Sequence, residues 1–427
     1  MTCVVVVGAQ WGDEGKGKVV DFCTERAELV ARYAGGPNAG HTLVVGGEKT
    51  IVRLIPSGIL RPKTQCILGD GMVVDPGVLL QELDTLHARG VPRVFERVVL
   101  GDRAHLILPY HILLDAAREG RSESAIGTTK KGIGPTYEDK ARRTGVRTGD
   151  LRDPARLEQR IAHALQQWAP TMQALGVSVP SAQEILRELE PMRERLLPLL
   201  GDASSVVNAA IGRGEQVLLE GAQGALLDVD HGTYPFVTSS SAIAGGACTG
   251  LGVGPSRVSS VLGIAKAYTT RVGSGPFPTE LSDKDGEHLR NVGVEFGSVT
   301  GRPRRTGWLD LVALRYAARI NGLDSVAITK LDVLSGLSTL RLCVAYQTAH
   351  GKTDEFPVDD LADVVPVYEE VQGWSQDISS ARSLEDLPQP ARDYLDKIQR
   401  ALGIPLCLVG VGAGRAATLV LQDPFEA

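Results

Sequence analysis

Short apolar runs rich in Val, Ile and Leu recur along the chain, and glycine is concentrated in the loops that follow them. Runs of this length and composition are typical of buried strands. Helix-compatible segments separate the runs, and strands that alternate with helices form parallel sheets covered on both faces. The pattern therefore predicts an α/β fold with a large, mostly parallel central sheet flanked by helices, whose strands include 4–7, 98–100, 216–219, 261–264, 326–328 and 406–409.

One segment has a different periodicity. From 153 to about 200 the chain is rich in Leu, Glu, Arg, Gln and Ala, and its apolar residues recur at helical spacing. Pro170 and Pro180 are predicted to break the helices. We expect a helical insertion or subdomain at about 151–205 within a single domain that spans 1–427. Its two apolar stripes are Leu157, Ile161, Ala164, Leu165 and Trp168, and then Ile185, Leu186, Leu189, Met192, Leu196 and Leu197.

Composition narrows the range of partners. Of the 427 residues, 43% are hydrophobic and 22% are charged, as in ordinary soluble proteins, and the net charge is −6. An acidic balance argues against a nucleic-acid surface, because phosphate backbones require clustered Lys and Arg. The acidic net charge does not exclude a nucleotide, which needs only a pocket that is locally positive.

Features of membrane and secreted proteins are missing from the sequence. No run of about 20 apolar residues is present, and no charged-then-apolar leader opens the chain. The six cysteines lie far apart and lack zinc-ligand spacing. We therefore expect a cytoplasmic protein with buried thiols and no membrane association.

A glycine-rich loop, 8-GAQWGDEGKGKVVD-21, directly follows the first predicted strand. Gly12, Gly15 and Gly17 allow the backbone to approach a phosphate closely, and Lys16 and Lys18 supply positive charge. The spacing from Gly12 to Lys18 is that of a P-loop, G-x-x-x-x-G-K. A simple strand-to-helix turn would also be rich in glycine, but turn geometry does not explain two lysines and a carboxylate in seven residues.

The residue after the P-loop lysine departs from the usual pattern. Ser or Thr normally stands there and binds Mg²⁺ through its hydroxyl, but this chain has Val19. The nearest carboxylate is Asp13, inside the loop. In a second motif, 35-GGPNAGHT-42, His41 stands in a loop between Gly and Thr. A lone histidine is often structural, but paired with Asp13 it becomes a candidate general acid beside a candidate base.

Two further motifs carry charge. Arg302, Arg304 and Arg305 follow Gly301, and arginine forks bind carboxylates in a bidentate manner; the alternative is a solvated basic loop. Asp332 lies in T-K-L-D, directly after a predicted strand. A carboxylate there can accept hydrogen bonds from N1–H and the 2-amino group of guanine, which adenine lacks; the alternative is an acidic first turn of a helix.

Eight sequence blocks, in this order, resemble the adenylosuccinate synthetase family, and the resemblance extends from Val4 to the terminal DPFEA. GDEGKGK together with NAGHT is specific to that family. The blocks are GDEGKGK at 12–18, GGPNAGHT at 35–42, GTTKKGIGPTYEDKARR at 127–143, EGAQG at 220–224, DHGTYPFVTSS at 230–240, TRVGSGPFPTE at 270–280, TGRPRRTGWLDL at 300–311 and TKLDVL at 329–334.

The resemblance implies a GTP-dependent ligase of purine nucleotide biosynthesis. GTP would phosphorylate O6 of IMP to 6-phosphoryl-IMP, and the amine of L-aspartate would displace phosphate to give adenylosuccinate. In the family, the residue matching Asp13 takes the N1 proton of IMP and binds Mg²⁺. The residue matching His41 acts as an acid toward the departing GDP, Lys16 stabilises the transferring phosphoryl group, and Gln223 positions the reacting groups.

The same resemblance implies the binding residues. The metal would contact Asp13 and the Gly40 carbonyl. GTP would contact Gly12, Gly15, Lys16, Gly17, Lys18, Thr42, Arg304, Lys330, Asp332, Gly410 and Gly412. IMP would contact Asp13, Asn38, Thr129, Arg143, Gln223, Thr238 and Arg302. L-Aspartate would contact Val299, Thr300, Arg302 and Arg304. Arg143 would reach the IMP phosphate of a neighbouring subunit, which implies a homodimer with shared sites.

Three positions depart from the family pattern. The segment 410–415, GVGAGR, lacks the usual early Ser or Thr and the Pro-Asp before the arginine, so Gly410 and Gly412 could contact guanine through the backbone alone. Ser241 stands where many members have Asn. Val299 stands where Thr is common, which leaves its backbone N–H for an aspartate contact.

Two other functions fit parts of these motifs. A different GTP- or ATP-dependent carboxylate–amine ligase could use the same phosphate loop, and a requirement for IMP distinguishes it. A GTP-binding regulatory module would need Ser or Thr in place of Val19. It would also leave the arginine loop and the Asp13/His41 pair without a role.

Overall fold

The computed structural model describes residues 2–38, 40–45, 48–121, 127–297, 301, 303–357 and 360–426, with the backbone alone for 41–45 and 48–50. Within these ranges eleven α-helices occur: α1 Lys16–Cys23, α2 Pro76–Ala88, α3 Pro109–Glu119, α4 Ile133–Arg142, α5 Pro154–Ala174, α6 Ala182–Leu196, α7 Ala203–Gly212, α8 Gly245–Leu251, α9 Lys284–Val292, α10 Leu311–Asn321 and α11 Gln389–Leu402.

The strands divide between one large sheet and four small ones. The described strands are β1 Cys3–Gly8, β2 Leu29–Arg32, β3 His41–Val45, β4 Glu48–Val52, β5 Gln65–Leu68, β6 Val73–Val74, β7 Val98–Gly101, β8 His105–Leu106, β9 Leu200–Gly201, β10 Val217–Glu220, β11 Ser260–Lys266, β12 Thr269–Arg271, β13 Arg305–Gly307, β14 Leu309–Asp310, β15 Ser325–Thr329, β16 Thr339–Thr348, β17 Gly351–Thr353, β18 Val365–Gln372, β19 Leu406–Gly410 and β20 Thr418–Val420.

Ten strands form the central sheet in the order β20-β19-β15-β11-β1-β10-β2-β5-β7-β9. Every neighbouring pair is parallel except β19 and β20. All six predicted strands lie in this sheet, so the predicted α/β fold is confirmed. Because β1 lies between β10 and β11, the loops that follow these three strands meet at one edge of the sheet, where ligands bind in open α/β folds.

The central strands are apolar throughout because both of their faces are covered. In β1, Val5 and Val7 pack into one buried cluster, whereas Val4 and Val6 pack into another on the opposite face. Alternating side chains of a strand point to opposite faces, so a run of four valines has no solvent side. This is why the sequence shows continuous apolar runs here instead of an alternating pattern.

The helical segment predicted at about 151–205 contains α5 and α6, and the predicted stripe of α5 is buried. The prediction that Pro170 breaks a helix is wrong, since α5 continues through it to Ala174. Pro170 and Gln166, four residues before it, are both exposed, so water can satisfy the carbonyl that proline leaves unbonded. Pro180 does lie outside the helices, two residues before α6 begins at Ala182. The division into a single domain with an insertion stays a prediction.

Helices that could cross a bilayer are not found in the described part of the chain, because none combines the required length with sufficient apolar character.

A close backbone contact beside the central sheet gives a test of this packing. A side chain on Gly250, in α8, would bring its Cβ within 2.1 Å of the Tyr33 carbonyl oxygen. We expect Gly250→Ala to lower the free energy of unfolding by about 1–3 kcal/mol, the usual cost of overpacking, as measured by urea denaturation. Gly254→Ala is the matched control, because nothing lies within 4 Å of its Cβ position. Equal stabilities of the two variants would contradict the packing.

Candidate active site

The loop between β1 and α1 is braced from inside by Glu14. The Glu14 side chain is fully buried, and its Oε1 accepts hydrogen bonds from the backbone N–H groups of Gln10 (3.1 Å) and Gly12 (2.8 Å). Its other oxygen pairs with the Lys16 ammonium at 2.5 Å. The backbone is left-handed at Gly12, Asp13 and Gly15, with φ values of 85°, 59° and 85°. These bonds fix a sharply turned loop that leads directly into α1.

Two neighbouring segments hold this loop against the sheet. The Thr329 hydroxyl, at the end of β15, donates to the Glu14 carbonyl at 2.6 Å. The turn after β10 packs on the other side: a Cβ on Gly224 would lie 2.3 Å from the Gln10 carbonyl oxygen, so glycine is required there. This contact places the backbone of Gln223, itself left-handed with φ 65°, beside Gly12.

Asp13 and Arg304 form an ion pair at the mouth of the site. The Nε atom of Arg304 lies 2.7 Å from Oδ2 of Asp13, and Nη1 lies 2.7 Å from Oε2 of Glu295. The Asp13 side chain is 39% exposed, whereas that of Arg304 is 11% exposed. Burial opposes the charge on Arg304, but the two carboxylates raise its pKa above the ordinary value.

Glu295 is the centre of a buried charge cluster. Its Oε1 is 2.9 Å from Lys266 Nζ and 2.8 Å from Lys330 Nζ, and it accepts a 2.5 Å hydrogen bond from the Tyr268 hydroxyl. Burial would raise the pKa of Glu295, but the surrounding cations hold it well below its usual range. Burial lowers the pKa of Lys266 to about 8 despite the attraction of Glu295.

The loops after β15 and β19 come together around Lys18. Lys18 Nζ donates to the carbonyl oxygens of Gly412 and Ala417, both at 2.8 Å. A Cβ on Gly410 would lie 3.2 Å from this ammonium. Burial lowers the pKa of Lys18 to about 8, while Asp332 opposes that shift. Lys18 is thus directed toward the C-terminal loop by backbone carbonyls.

Beside Lys18, one carboxylate oxygen of Asp332 lacks a hydrogen-bond donor. Its Oδ1 is buried and has no hydrogen-bond partner among the described residues. Burial raises the pKa of Asp332 above its usual value. The nearby Lys330, left-handed with φ 59°, donates instead to the Gly293 carbonyl at 2.5 Å. A buried acceptor without a donor is costly unless a ligand supplies one.

A second group of loops lies beyond β2 and β10. Lys131 Nζ donates to the Pro37 carbonyl at 3.0 Å, which ties the loop that contains Thr129 to the one that contains Asn38. Oδ1 of Asn38 is buried without a partner among residues that the structure describes. The Thr238 hydroxyl lies 3.3 Å from that of Ser240, and Thr129 is exposed.

Arg143 stands apart from the other predicted residues. It caps α4 in a left-handed conformation with φ 66°, and its exposed side chain has no hydrogen bond or ion pair within the described ranges. Its backbone is fixed by Asp139, whose side chain accepts from the Thr144 hydroxyl at 2.7 Å and whose carbonyl accepts from the Thr144 N–H at 3.0 Å. The guanidinium is therefore held out toward solvent by a rigid helix end.

Comparison with known proteins identifies the family. A family model described as adenylosuccinate synthetase matches residues 5–419. Adenylosuccinate synthetases of Sorangium cellulosum and Myxococcus xanthus are 62% and 53% identical to this chain, and each alignment covers all of both chains. A structure of the fully ligated adenylosuccinate synthetase from Plasmodium falciparum superposes with a TM-score of 0.92 at 36% identity, over 98% of this chain and 99% of that one.

The chain belongs to the adenylosuccinate synthetase family. It is a GTP-dependent ligase that joins IMP to L-aspartate in purine biosynthesis, as the resemblance implied. The two rival functions, a ligase without IMP and a regulatory GTP-binding module, are thereby excluded.

The structure brings most predicted residues to the same sheet edge. Gly12, Gly15, Lys16 and Gly17 lie in or directly after the phosphate loop, and Asp13, Gln223 and Arg304 lie beside it. Lys18, Lys330, Asp332, Gly410 and Gly412 form the second group. Val299, Thr300 and Arg302 lie outside the described residues. The side chains of His41 and Thr42 are also outside the description, although the backbone of His41 pairs with that of Val52. Gly40 is described.

Sequence reasoning missed the two carboxylates that hold the site. Glu14 stands two residues before Lys16 in GDEGKGK, and that spacing is the signal that could have found it. Glu295 has no local motif, because its partners come from three other segments. Arg305 was expected to bind a carboxylate ligand together with Arg302 and Arg304. Instead it forms a partly exposed ion pair with Glu280.

Oxygen donors of the kind that Mg²⁺ prefers are present at Asp13 and at the Gly40 carbonyl. Within the described ranges no three His, Cys, Asp or Glu side chains cluster as a protein-only metal site. Mg²⁺ commonly takes one or two protein ligands and completes its shell with nucleotide phosphates and water. The half-exposed Asp13 carboxylate fits that mode, because Arg304 engages its Oδ2 and no described residue engages Oδ1.

Lys18 gives a pH test of the synthetase fold. Its folded pKa of about 8 lies below the ordinary 10.5, so between these values the unfolded chain binds more protons than the folded one. Stability of the wild type relative to Lys18→Met should therefore rise as the pH increases from about 8 to 10.5, by roughly 1–2 kcal/mol after allowance for the exposed part of the side chain. Urea unfolding of both proteins across this range measures it; parallel curves would refute the shift.

Proposed function

We propose that Asp13, His41, Lys16 and Gln223 carry the chemistry of adenylosuccinate formation. Asp13 accepts the N1 proton of IMP, so that O6 can attack the γ-phosphate of GTP and form 6-phosphoryl-IMP. His41 acts as an acid toward the departing GDP, and the amine of L-aspartate then displaces phosphate. The observation that carries this proposal is the close packing of the loop that contains Asp13 against the turn that contains Gln223, together with the ion pair between Asp13 and Arg304.

The phosphates of GTP are expected along the turn that opens α1. Gly12, Gly15 and Gly17 permit close backbone approach, and the helix N-terminus favours an anion. Lys16 forms an ion pair with the buried Glu14, so the positive charge that it offers to a phosphate is already partly neutralised. Lys18 and Thr42 complete the expected phosphate-side contacts.

Guanine is expected at the end of β15. The unpartnered Oδ1 of Asp332 supports this assignment, since guanine offers two adjacent N–H donors and adenine offers none in that position. Lys330 packs beside it, and Gly410 and Gly412 can contribute through the backbone alone. Replacement of GTP by ATP in the assay should therefore reduce turnover strongly.

IMP and L-aspartate are expected on the other side of Asp13. Asn38 and Thr238 would contact IMP, with Thr129, Gln223 and Arg302 completing the contacts. Arg304 is the supported aspartate residue, because its Nη2 has no hydrogen-bond partner among the described residues while its other two nitrogens face carboxylates. Val299, Thr300 and Arg302 are retained as aspartate contacts on the resemblance.

Asp13 and the Gly40 carbonyl are the protein groups that would hold Mg²⁺, together with phosphates of the nucleotide. When bound it would offset negative charge on the phosphoryl group in transfer. Asp13 would then hold the ion with one oxygen and remain oriented by Arg304 through the other. A cytoplasmic location is proposed from the sequence composition.

A homodimer is proposed in which Arg143 enters the neighbouring active site. The exposed, unpaired guanidinium at a rigid helix end supports this, because an arginine serves phosphate groups well and has no described partner in its own chain.

Asp13→Asn tests the proposed base. The amide keeps the volume of the carboxylate but cannot accept the N1 proton or carry charge to Mg²⁺, so we expect kcat to fall by about two to four orders of magnitude. Turnover is followed spectroscopically with IMP, GTP, Mg²⁺ and L-aspartate, and again after chelation of Mg²⁺. Asp84→Asn is the control, since Asp84 lies in α2 and its ion pair with Arg195 is exposed, so loss of its charge should be tolerated. Retention of a tenth of wild-type activity by Asp13→Asn would remove the assignment.

Mixing two inactive variants tests the shared site. Arg143→Leu should raise the KM for IMP strongly, and Asp13→Asn should be nearly inactive. If Arg143 serves the neighbouring subunit, subunit exchange creates one hybrid site with a native Asp13 and a native Arg143, so activity should return toward a quarter of the wild-type value. Exchange is verified with a tagged subunit. No recovery despite verified exchange would mean that each subunit uses its own Arg143.

A further inference from the structure

Glu295 contacts Arg304 through both its backbone and its side chain. Its carbonyl accepts a hydrogen bond from the Arg304 N–H at 2.9 Å, and its carboxylate receives Arg304 Nη1 at 2.7 Å. One residue further along, Phe296 pairs with Pro303 as an antiparallel bridge. Backbone and side chain of Glu295 therefore both hold Arg304, which is proposed above to contact L-aspartate.

The Glu295 carboxylate also contacts Lys330, near the position at which guanine is expected. Lys330, two residues before Asp332, donates to Glu295 Oε1 at 2.8 Å and to the Gly293 carbonyl at 2.5 Å. Lys266 and Tyr268 complete the donors around this oxygen. Glu295 itself is fully buried, so it can act on a ligand only through the residues that it holds.

Backbone strain next to Glu295 indicates that this arrangement is enforced. Val294 has a φ of 50°, although β-branched residues avoid the left-handed region. Such a conformation costs about 1–3 kcal/mol and persists where surrounding contacts over-determine it. Here the contacts are those of its two neighbours, since Gly293 holds Lys330 and Glu295 holds both Lys330 and Arg304.

We propose that Glu295 is a positioning residue that joins the aspartate and GTP subsites, because its one carboxylate orients both Arg304 and Lys330. The inference rests on the roles proposed above for these two cations. Its consequence is that loss of the Glu295 charge weakens binding of two chemically different substrates in parallel and leaves the third, IMP, bound as before. A carboxylate that merely neutralised Lys266 would alter stability without this pattern.

The test is steady-state kinetics of Glu295→Gln with each substrate varied in turn. The amide retains the size of the side chain but not its charge, and hydrogen bonds to charged groups contribute more than neutral ones. We expect the KM values for L-aspartate and GTP each to rise about tenfold or more, and the KM for IMP to stay within about twofold. Glu280→Gln is the matched control, because it removes the carboxylate partner of the adjacent Arg305, and its three KM values should not change.

Glu295→Gln leaves three buried or half-buried cations short of one negative charge, so it could fail to fold. The double variant Glu295→Gln/Lys266→Met restores the balance by replacing a fully buried lysine with an apolar side chain of similar length. Circular dichroism and urea unfolding establish that it is folded. We expect the parallel increases in KM for L-aspartate and GTP to persist in the double variant.

Three outcomes overturn the proposal: unchanged KM values in a folded variant, a change for one of the two substrates alone, or an equal change for all three. Arg304→Leu separates this failure from failure of the proposed function. If Arg304→Leu raises the KM for L-aspartate while Glu295→Gln does not, the binding role of Arg304 stands and the positioning role of Glu295 falls. If Arg304→Leu leaves that KM unchanged, both fall.

Discussion

A chain of alternating charges, Asp13–Arg304–Glu295–Lys330, connects loops from three separate parts of the sequence. Glu295, which pairs with both Arg304 and Lys330, is fully buried, and leaving a buried charge unpaired costs several kcal/mol. The members therefore stabilise one another as a set, and none of the loops can move far without breaking an ion pair. The phosphate loop, the arginine loop and the loop after β15 are held in register before any substrate arrives, which reduces the entropic cost of assembling the site.

Left-handed backbone conformations of non-glycine residues concentrate at and beside the predicted site residues. Seven non-glycine residues in the described ranges have left-handed φ values: Asp13, Arg93, Lys130, Arg143, Gln223, Val294 and Lys330. Four of them are predicted site residues, and two more lie beside Thr129 and Glu295. Such conformations turn the chain sharply and direct polar side chains out of the regular elements, at a cost that the packed sheet beneath can bear. Gly12 and Gly15 of the phosphate loop adopt the same region without that cost.

The sequence was sufficient to predict the central sheet and to identify the family, for different physical reasons. Strands such as β1 are buried on both faces, so their apolar runs are unambiguous, and the phosphate loop is contiguous. Glu295 could not be predicted, because its partners are brought together only by the fold. The break expected at Pro170 was wrong because an exposed helix face lets water replace the lost hydrogen bond. Arg305 was grouped with ligand-binding arginines because the sequence could not reveal its pairing with Glu280.

Two kinds of polar residue can now be distinguished at the site. Lys16, Arg304 and Lys330 each already contact a protein carboxylate, so a ligand that binds them must share these cations with Glu14, Asp13 or Glu295. Asp332 and Asn38 instead keep a buried acceptor oxygen with no partner among the described residues. A folded protein tolerates such atoms where a ligand supplies the missing bonds, because desolvation then becomes part of recognition. We expect the engaged cations to set the shape of the site, and the unpaired acceptors to disfavour any ligand that lacks donors in the matching positions.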